Sequence, residues 1–283
     1  MKWPVVTVPD LPDDPTAGDL LARAVAASVD RLFSHLPHSD HHSVHQARVA
    51  TRRLRSDLQT FGPLLRDEKA LRRDLRELGR LLGKVRDRDV FLLRLTREAE
   101  AVEALKSAWS QRREAEWDQL QKYVQSDAFT RLALELVTWA CATPVRDDCE
   151  VPALEIMGPL VRQRWIKLAE LARGPEPDPP TLHRIRILAK RVRYGAEVVA
   201  PVGGKRARRF ARAAERLQDI LGEYRDATIA HGILTRIGVR LPSRHAVVLG
   251  ELAGVEWARR TEALARWRDA FEHLDRRRLR EWM

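Results

Sequence analysis

One strongly basic, amphipathic segment occurs twice in this chain, and the repetition limits the possible folds more than any other feature. Residues 45–55 read HQARVATRRLR, and residues 183–193, at an interval of 138, read HRIRILAKRVR. Both copies fit the pattern H-x-x-R-x-x-x-[RK]-R-x-R. At about 100° per residue on a helix, the leading histidine and the cations three, seven and ten residues later fall on one side, and apolar residues fall on the other. The pattern predicts two equivalent helices, each with a cationic and an apolar face.

A second pair of segments repeats at nearly the same interval. Residues 82–87 read LGKVRD and residues 221–226 read LGEYRD, which are 139 residues apart. Two independent pairs with matching intervals predict a tandem duplication. Helical periodicity covers most of the remaining chain, and strand-like alternation is confined to Val5–Val8. We therefore predict an all-α protein made of two related helical bundles.

Caps and breakers predict where the helices begin and end. Ser39/Asp40 and Ser126/Asp127 are expected to cap helices, and Thr181 is expected to cap the second basic helix, which should end at Pro201. The helix after the first basic helix is expected to run from residue 64 to Gly83, and the next from Asp87 to Tyr123. The resulting organisation is an extended tail at 1–13 and one domain at 14–283. Its halves span about 14–143 and about 150–283.

Each basic helix carries a stripe of cations along one face, which indicates an anionic partner. Like charges at i, i+3 and i+4 repel by a few tenths of a kcal/mol per pair, and nothing within the stripes offsets this. The chain has 51 Lys and Arg against 40 Asp and Glu, a formal charge of +11. Residues 181–212 alone hold ten Lys and Arg and one acid, Glu197. Arginine presents a planar fork of donors that suits phosphate oxygens, so the focused charge predicts a phosphate-rich polyanion as ligand.

Other basic residues are weaker candidates. Arg86 and Arg225 of the L-G-x-x-R-D segments either face the ligand or help to fix a turn between helices. Four arginines alternate with acids on a leucine-rich helix, so only some of them can reach a ligand. They are Arg72, Arg73, Arg76 and Arg80. A possible outer basic patch lacks neighbouring acids. It consists of Lys205, Arg206, Arg208, Arg209 and Arg212.

Several classes of protein and site are disfavoured. Cys141 and Cys149 form no metal-ligand pattern, and thiols in a reducing cytosol are the favoured interpretation. The five histidines at 35–45 lack a carboxylate or cysteine on the same stripe, which disfavours a metal site. We expect no cofactor and no catalytic residues, because the motifs of hydrolases, metalloproteases and P-loop proteins are missing. The chain has no signal pattern and no transmembrane-length apolar run, so we expect a cytoplasmic protein with no membrane partner.

The paired histidine-led basic helices, each followed by L-G-x-x-R-D, resemble the CHAD family, the conserved histidine α-helical domain. The resemblance extends from about residue 14 to the end of the chain. It implies two four-helix bundles with pseudo-twofold symmetry, which bind inorganic polyphosphate along a basic surface and central pore and associate with polyphosphate granules. Many CHAD domains are fused to a CYTH triphosphate-tunnel domain. Only a short tail precedes residue 14 here, so the hydrolase activity of such a fused domain is not expected. By position, the binding residues are His45, Arg48, Arg52, Arg53, Arg55, His183, Arg186, Lys190, Arg191 and Arg193.

Three functional hypotheses follow. The first is a non-enzymatic module that binds long-chain inorganic polyphosphate. The second is a nucleic-acid-binding protein, which the net charge alone allows. Binders of single strands usually interleave stacking aromatic residues with cations, whereas all eight tryptophans lie outside both basic motifs. This disfavours nucleic acid as the partner. The third hypothesis, an enzyme of phosphate metabolism, is disfavoured because no carboxylate pair is placed to hold Mg²⁺ opposite the basic face.

Overall fold

Helices make up the architecture throughout the computed structural model, which describes residues 3–96, 98–146 and 152–283. The all-α prediction is confirmed, and Val5–Val8 forms no strand. A 3₁₀ turn at Gly62–Leu64 follows the second helix. The helices in the described ranges are α1 Ala17–His35, α2 His41–Thr60, α3 Glu68–Leu92, α4 Glu100–Val124, α5 Asp127–Cys141, α6 Ala153–Ala172, α7 Pro179–Gly238, α8 Ser243–Leu274 and α9 Arg277–Arg280.

Among the described helices, side-chain caps explain the starts of α1, α2, α5 and α7. The Asp40 side chain accepts a hydrogen bond from the backbone of Ser43, and Ser126 does the same at α5, so both predicted caps are confirmed. The predicted cap at Thr181 is wrong. Asp178 caps α7 instead by accepting from the backbone N–H of Thr181. Pro179 then lies in the first turn, where a missing N–H leaves no hydrogen bond unmade.

Two predicted helix boundaries are also wrong. Helix α3 continues through Gly83 to Leu92, and α4 begins only at Glu100. Helix α7 continues past Pro201 and is broken only at Gly204, whose φ of 63° lies in the left-handed region that favours glycine. Both L-G-x-x-R-D segments therefore lie inside helices, which excludes a role in a helix–helix turn.

Helices α2 and α7 pack together at the centre of the molecule. A Cβ atom added to Gly195 of α7 would lie 3.5 Å from the Thr60 side chain of α2 and 3.0 Å from Val161 of α6. The main buried cluster contains apolar residues from both halves of the chain. A smaller cluster joins the end of α3 and the start of α4 to α7 and α8, through residues such as Phe91, Trp109 and Leu249. The packing thus brings the two basic segments together.

The remaining chain adds little to this centre. The N-terminal segment, described from Trp3, packs against the rings of Phe33 and Phe129. Cys141 is an exposed free thiol, and Cys149 lies outside the described residues. Among the helices described here, none has the length and apolar character needed to cross a membrane.

Candidate anion-binding site

Eight basic side chains from α2, α3 and α7 converge between the two halves of the chain. Arg52 of α2 acts electrostatically on Lys190 of α7, and Arg225 acts on Arg48. Six of the eight were expected from the repeated motif, and Arg86 and Arg225 join them from the L-G-x-x-R-D segments. We call this set the central cluster. It consists of His45, Arg48, Arg52, Arg86, His183, Arg186, Lys190 and Arg225.

The glycines of the L-G-x-x-R-D segments lie against the buried arginines of the central cluster. Arg48 Nη1 donates to the backbone oxygen of Gly79 at 3.2 Å. A Cβ atom on Gly83 would lie only 2.5 Å from the same nitrogen, so the glycine makes room for the guanidinium. At the matching place in the other half, Gly222 lies against Arg186, with a 3.5 Å approach to Nη2. The glycine of this motif therefore permits close contact with an arginine.

The aspartates of the same segments act on these arginines. Asp87 favours the charged form of Arg48, and Asp226 favours that of Arg186. Burial and the neighbouring cations oppose this effect and lower the pKa of both arginines, that of Arg186 to about 10. The same interaction occurs once in each half at intervals of 138 and 139 residues. This agrees with a tandem duplication, although the duplication itself stays a prediction.

The central cluster strongly disfavours additional positive charge. Burial, followed by repulsion from Arg52, Arg186, Arg48 and Arg225, lowers the pKa of Lys190 to about 5. Burial, followed by Arg86 and Arg52, lowers the pKa of His45 to about 4. Within the described ranges, no member of the cluster forms an ion pair with a carboxylate. An entering anion would therefore meet groups that bind protons more tightly once it arrives.

Tyr194 positions one cation of the cluster. Its hydroxyl accepts a hydrogen bond from Arg52 Nε at 3.0 Å, and its ring is buried. The Arg53 and Arg193 guanidiniums lie 5.4 and 5.5 Å from the ring centroid, within the range of cation–π attraction. Sequence reasoning missed this role, because a tyrosine beside a basic motif gives no sign of which arginine it contacts.

Beyond Arg48 and Lys190, the basic surface continues into a second set of arginines. A Cβ atom added to Gly79 of α3 would lie 3.4 Å from Arg55 Nη1. Gly79 therefore contacts both Arg48 and Arg55 of α2. Burial and the neighbouring arginines lower the pKa of Arg55, Arg164 and Arg191. No carboxylate in the described part of the chain pairs with any of the set. We call it the arginine cluster, and it consists of Arg55, Arg72, Arg76, Arg164 and Arg191.

Arg53 and Arg193 lie apart from both clusters in a network with acids. Arg53 Nη1 is 2.8 Å from Glu197, and Arg193 lies 2.8 Å from Glu197 and 2.7 Å from Glu215. Asp57 is fully buried, 4.0 Å from Arg53, and both of its carboxylate oxygens lack a hydrogen-bond partner. These five residues form what we call the junction network. Its arginines are already paired, unlike those of the two clusters.

The predicted outer patch divides into two parts. Arg206, Arg209 and Arg212 line a cavity of about 540 Å³ together with Arg216, His273 and Arg278. Lys205 and Arg208 are exposed outside it. On α3, Arg73 and Arg80 pair with Asp74 and Glu77, whereas Arg72 and Arg76 belong to the arginine cluster. The expectation that only some arginines of this helix reach a ligand thus agrees with their placement.

The histidines near the start of α2 are mostly separate from this site. His41 contacts Asp89 through Nδ1 at 2.6 Å, and Arg113 donates to the same carboxylate oxygen. His35 and His42 stack edge to face. In the described ranges, no group of three His, Cys, Asp or Glu residues is placed to hold a metal ion. His35 is the last residue of α1, and His41 and His42 are the first two of α2.

Comparison with known proteins identifies the fold. The family model described as the CHAD domain matches residues 23–235. The crystal structure of the CHAD domain from the plant Ricinus communis is similar at 22% identity, covering 96% of each chain with a TM-score of 0.75. PptA from Streptomyces chartreusis is similar at 18% identity, covering 91% of this chain and 99% of its own, with a TM-score of 0.70. A search of curated proteins gives no significant match.

Proposed function

This chain belongs to the CHAD domain family, and from that premise we propose that it binds inorganic polyphosphate without consuming it. The binding surface is the central cluster, to which both repeated basic helices contribute. The protein acts in the cytoplasm and associates with polyphosphate granules through this surface. Long chains are the preferred ligand, because a repeating anion can contact cations of both halves at once.

A single observation carries the proposal: the central cluster concentrates eight basic side chains, none of which forms a salt bridge with a carboxylate in the described part of the chain. Such an arrangement costs stability unless an anion offsets the repulsion. Guanidinium groups form paired, charge-assisted hydrogen bonds with phosphate oxygens. The chemistry of the cluster therefore suits closely spaced phosphates.

The surroundings of the cluster favour polyphosphate over single-stranded nucleic acid. Of the aromatic residues in the described ranges, Tyr194 is the one found in contact with the cluster, and only 1% of it is exposed. Its ring already has three arginines around it. A base would need an accessible ring on which to stack, so a ligand of phosphates alone fits this surface better.

Binding without turnover is consistent with the acids near the cluster. Asp87 and Asp226 favour the charged forms of Arg48 and Arg186. Their charge thus helps to keep two cluster arginines in the form that binds phosphate oxygens. We therefore propose that the cluster binds phosphate chains by charge and shape, and release of orthophosphate on incubation would contradict this.

The test is a titration with long-chain polyphosphate, triphosphate and single-stranded DNA at equal salt. We expect polyphosphate to bind most tightly, with affinity falling steeply as salt increases, because cation–phosphate contacts release counterions. Replacing Arg48 and Arg186 by Ala should weaken binding by about a hundredfold. The matched control replaces exposed Lys205 and Arg208 by Ala and should change affinity only slightly. Equal or tighter binding of DNA would favour the nucleic-acid hypothesis.

A further inference from the structure

The two sides of the α2–α7 junction occupy equivalent positions in the repeat but differ in charge. At an interval of 138, Arg53 corresponds to Arg191 and Arg55 to Arg193. The structure places Arg53 with Arg193 in the junction network and Arg55 with Arg191 in the arginine cluster. Each side thus combines one arginine from each repeated helix, as a twofold arrangement of the two helices would produce.

Contacts around these arginines follow the same correspondence. Arg193 contacts Glu215 and lies 3.5 Å from Gln218. At an interval of 139, the matching positions are Arg76 and Gly79, and both lie beside Arg55. The two sides can therefore be compared position by position.

Every acid on one side is replaced on the other. Asp57, Glu197 and Glu215 of the junction network correspond to Gly195, Gln59 and Arg76. The backbone oxygen of Gln59 accepts a hydrogen bond from Arg164, which places an additional cation on that side. Among the described residues, the arginine cluster therefore has no carboxylate counterpart to the junction network, and no described acid pairs with its arginines.

Side-chain size also differs between matching positions on the two sides. The large, buried Tyr194 lies against Arg52, Arg53 and Arg193 on the side of the junction network. The matching residue on the other side is Ser56, which is small and whose buried hydroxyl has no hydrogen-bond partner. Charge therefore disfavours a phosphate chain beside the junction network and favours one beside the arginine cluster.

We propose that the arginine cluster is a binding subsite for inorganic polyphosphate. A polyphosphate chain held by the central cluster then extends beyond it only toward the arginine cluster. This inference rests on the proposed function. Five guanidiniums without a carboxylate partner in the described ranges extend the central cluster along α2, α3, α6 and α7, while the acids of the junction network neutralise its arginines on the opposite side. The site is therefore one-sided despite the repeated sequence.

The test compares two double variants of the same helix. Replacing Arg72 and Arg76 by Ala should weaken binding of long-chain polyphosphate about tenfold and change triphosphate binding less than about threefold. The salt dependence should also become shallower by about two released counterions. The control replaces Arg73 and Arg80, which pair with Asp74 and Glu77, and should change both affinities less than about threefold.

A second variant tests the opposite side. Replacing Glu197 and Glu215 by Gln frees Arg53 and Arg193, so long-chain affinity should increase severalfold. Thermal unfolding of each variant establishes that it is folded. The inference is overturned if the Arg72/Arg76 variant binds long chains like its control, or if the Glu197/Glu215 variant binds them no more tightly than wild type. The proposed function fails separately, if the Arg48/Arg186 variant retains full affinity.

Discussion

At the scale of single residues, Lys190 differs most from its usual chemistry. Burial of its amino group, followed by the charges of Arg52, Arg186, Arg48 and Arg225, lowers its pKa. With a pKa of about 5, most of it is neutral at pH 7 in the free protein. An approaching phosphate chain reverses the local potential and raises the pKa, so the lysine gains a proton when the ligand binds. Lys190 thus links binding to pH.

The first prediction concerns this linkage. Groups whose pKa is lowered in the free protein and raised in the complex make binding tighter as pH falls, here from about 8 to 6. Replacing Lys190 by Arg should reduce proton uptake by a measurable fraction while preserving affinity, because an arginine stays charged in this range even when its pKa is lowered as for Arg186. Calorimetry in buffers of different ionisation enthalpy measures the uptake.

His45 and His183 are expected to account for the remaining proton uptake. Burial and nearby cations lower the pKa of both, that of His45 to about 4. Replacing both by Gln should flatten the pH dependence while keeping most of the affinity. A control variant that lacks His38, His41 and His42 tests for a contribution from those histidines. If the Lys190 and histidine variants together retain the full pH dependence, this account of proton linkage is wrong.

At the scale of secondary-structure elements, the glycines of α3 and α7 differ in how closely an arginine approaches them. A Cβ on Gly83 would meet Arg48 Nη1 at 2.5 Å, whereas one on Gly222 would meet Arg186 Nη2 at 3.5 Å, an ordinary contact. Neither position needs glycine for its backbone, since both lie in regular helix. Substituting each glycine by alanine therefore distinguishes an effect on the position of an arginine that binds ligand from an effect on helix stability.

The second prediction uses this matched pair. Replacing Gly83 by Ala should displace the Arg48 guanidinium and its bond to Gly79, weakening polyphosphate binding about three- to tenfold. Replacing Gly222 by Ala should leave affinity nearly unchanged. Neither change should destabilise the fold strongly, because Ala is favoured over Gly in a helix by roughly 0.5–1 kcal/mol. Equal losses of affinity in the two variants would contradict the proposed role of Gly83.

The third prediction concerns the junction of α2 and α7. Burial, with help from Glu197, raises the pKa of Asp57 to about 7. Because this exceeds the unfolded value, stability is fully present below about pH 4 and is lost as pH rises through 7. Replacing Asp57 by Asn should therefore raise the free energy of unfolding by about 1–3 kcal/mol at pH 8, with a smaller effect at pH 5. Denaturant unfolding at both values measures this.

The partly exposed Asp74 provides the control for this prediction. Its side chain lies at the surface beside Arg73, so replacing Asp74 by Asn should change stability by less than about 0.5 kcal/mol at either pH. If the Asp57 variant is less stable than wild type by the same amount at pH 5 and pH 8, the Asp57 carboxylate stabilises the folded protein and the prediction is wrong.

At the scale of the whole molecule, sequence periodicity was sufficient to predict the helical class and the two basic segments. It was not sufficient to predict which cations remain unpaired. Arg53 and Arg55 are two residues apart on α2, yet one pairs with Glu197 of α7 and the other lies among arginines of α3 and α6. That difference depends on how α2 and α7 cross, which a single sequence does not specify.

The glycines illustrate a second limit of sequence reasoning. Gly83 suggested the end of a helix, because glycine is common just after helix termini. In the structure its function is steric, and it allows the side chain of another helix to approach. Arg164 gave no signal at all, since α6 carries no basic motif and the residue becomes relevant only through its packing beside Arg191 and Gln59.

The fourth prediction tests whether the two halves form one site. Replacing Arg48 and Arg52, or Arg186 and Lys190, by Ala should each weaken long-chain polyphosphate binding by at least about tenfold. Long chains should also bind far more tightly than triphosphate in wild type, because a chain held by one half reaches the other at a high effective concentration. Either double variant should reduce that difference between long and short chains. Titration of both ligands at fixed salt measures it, and a half whose variant leaves long-chain affinity unchanged would not contribute to the site.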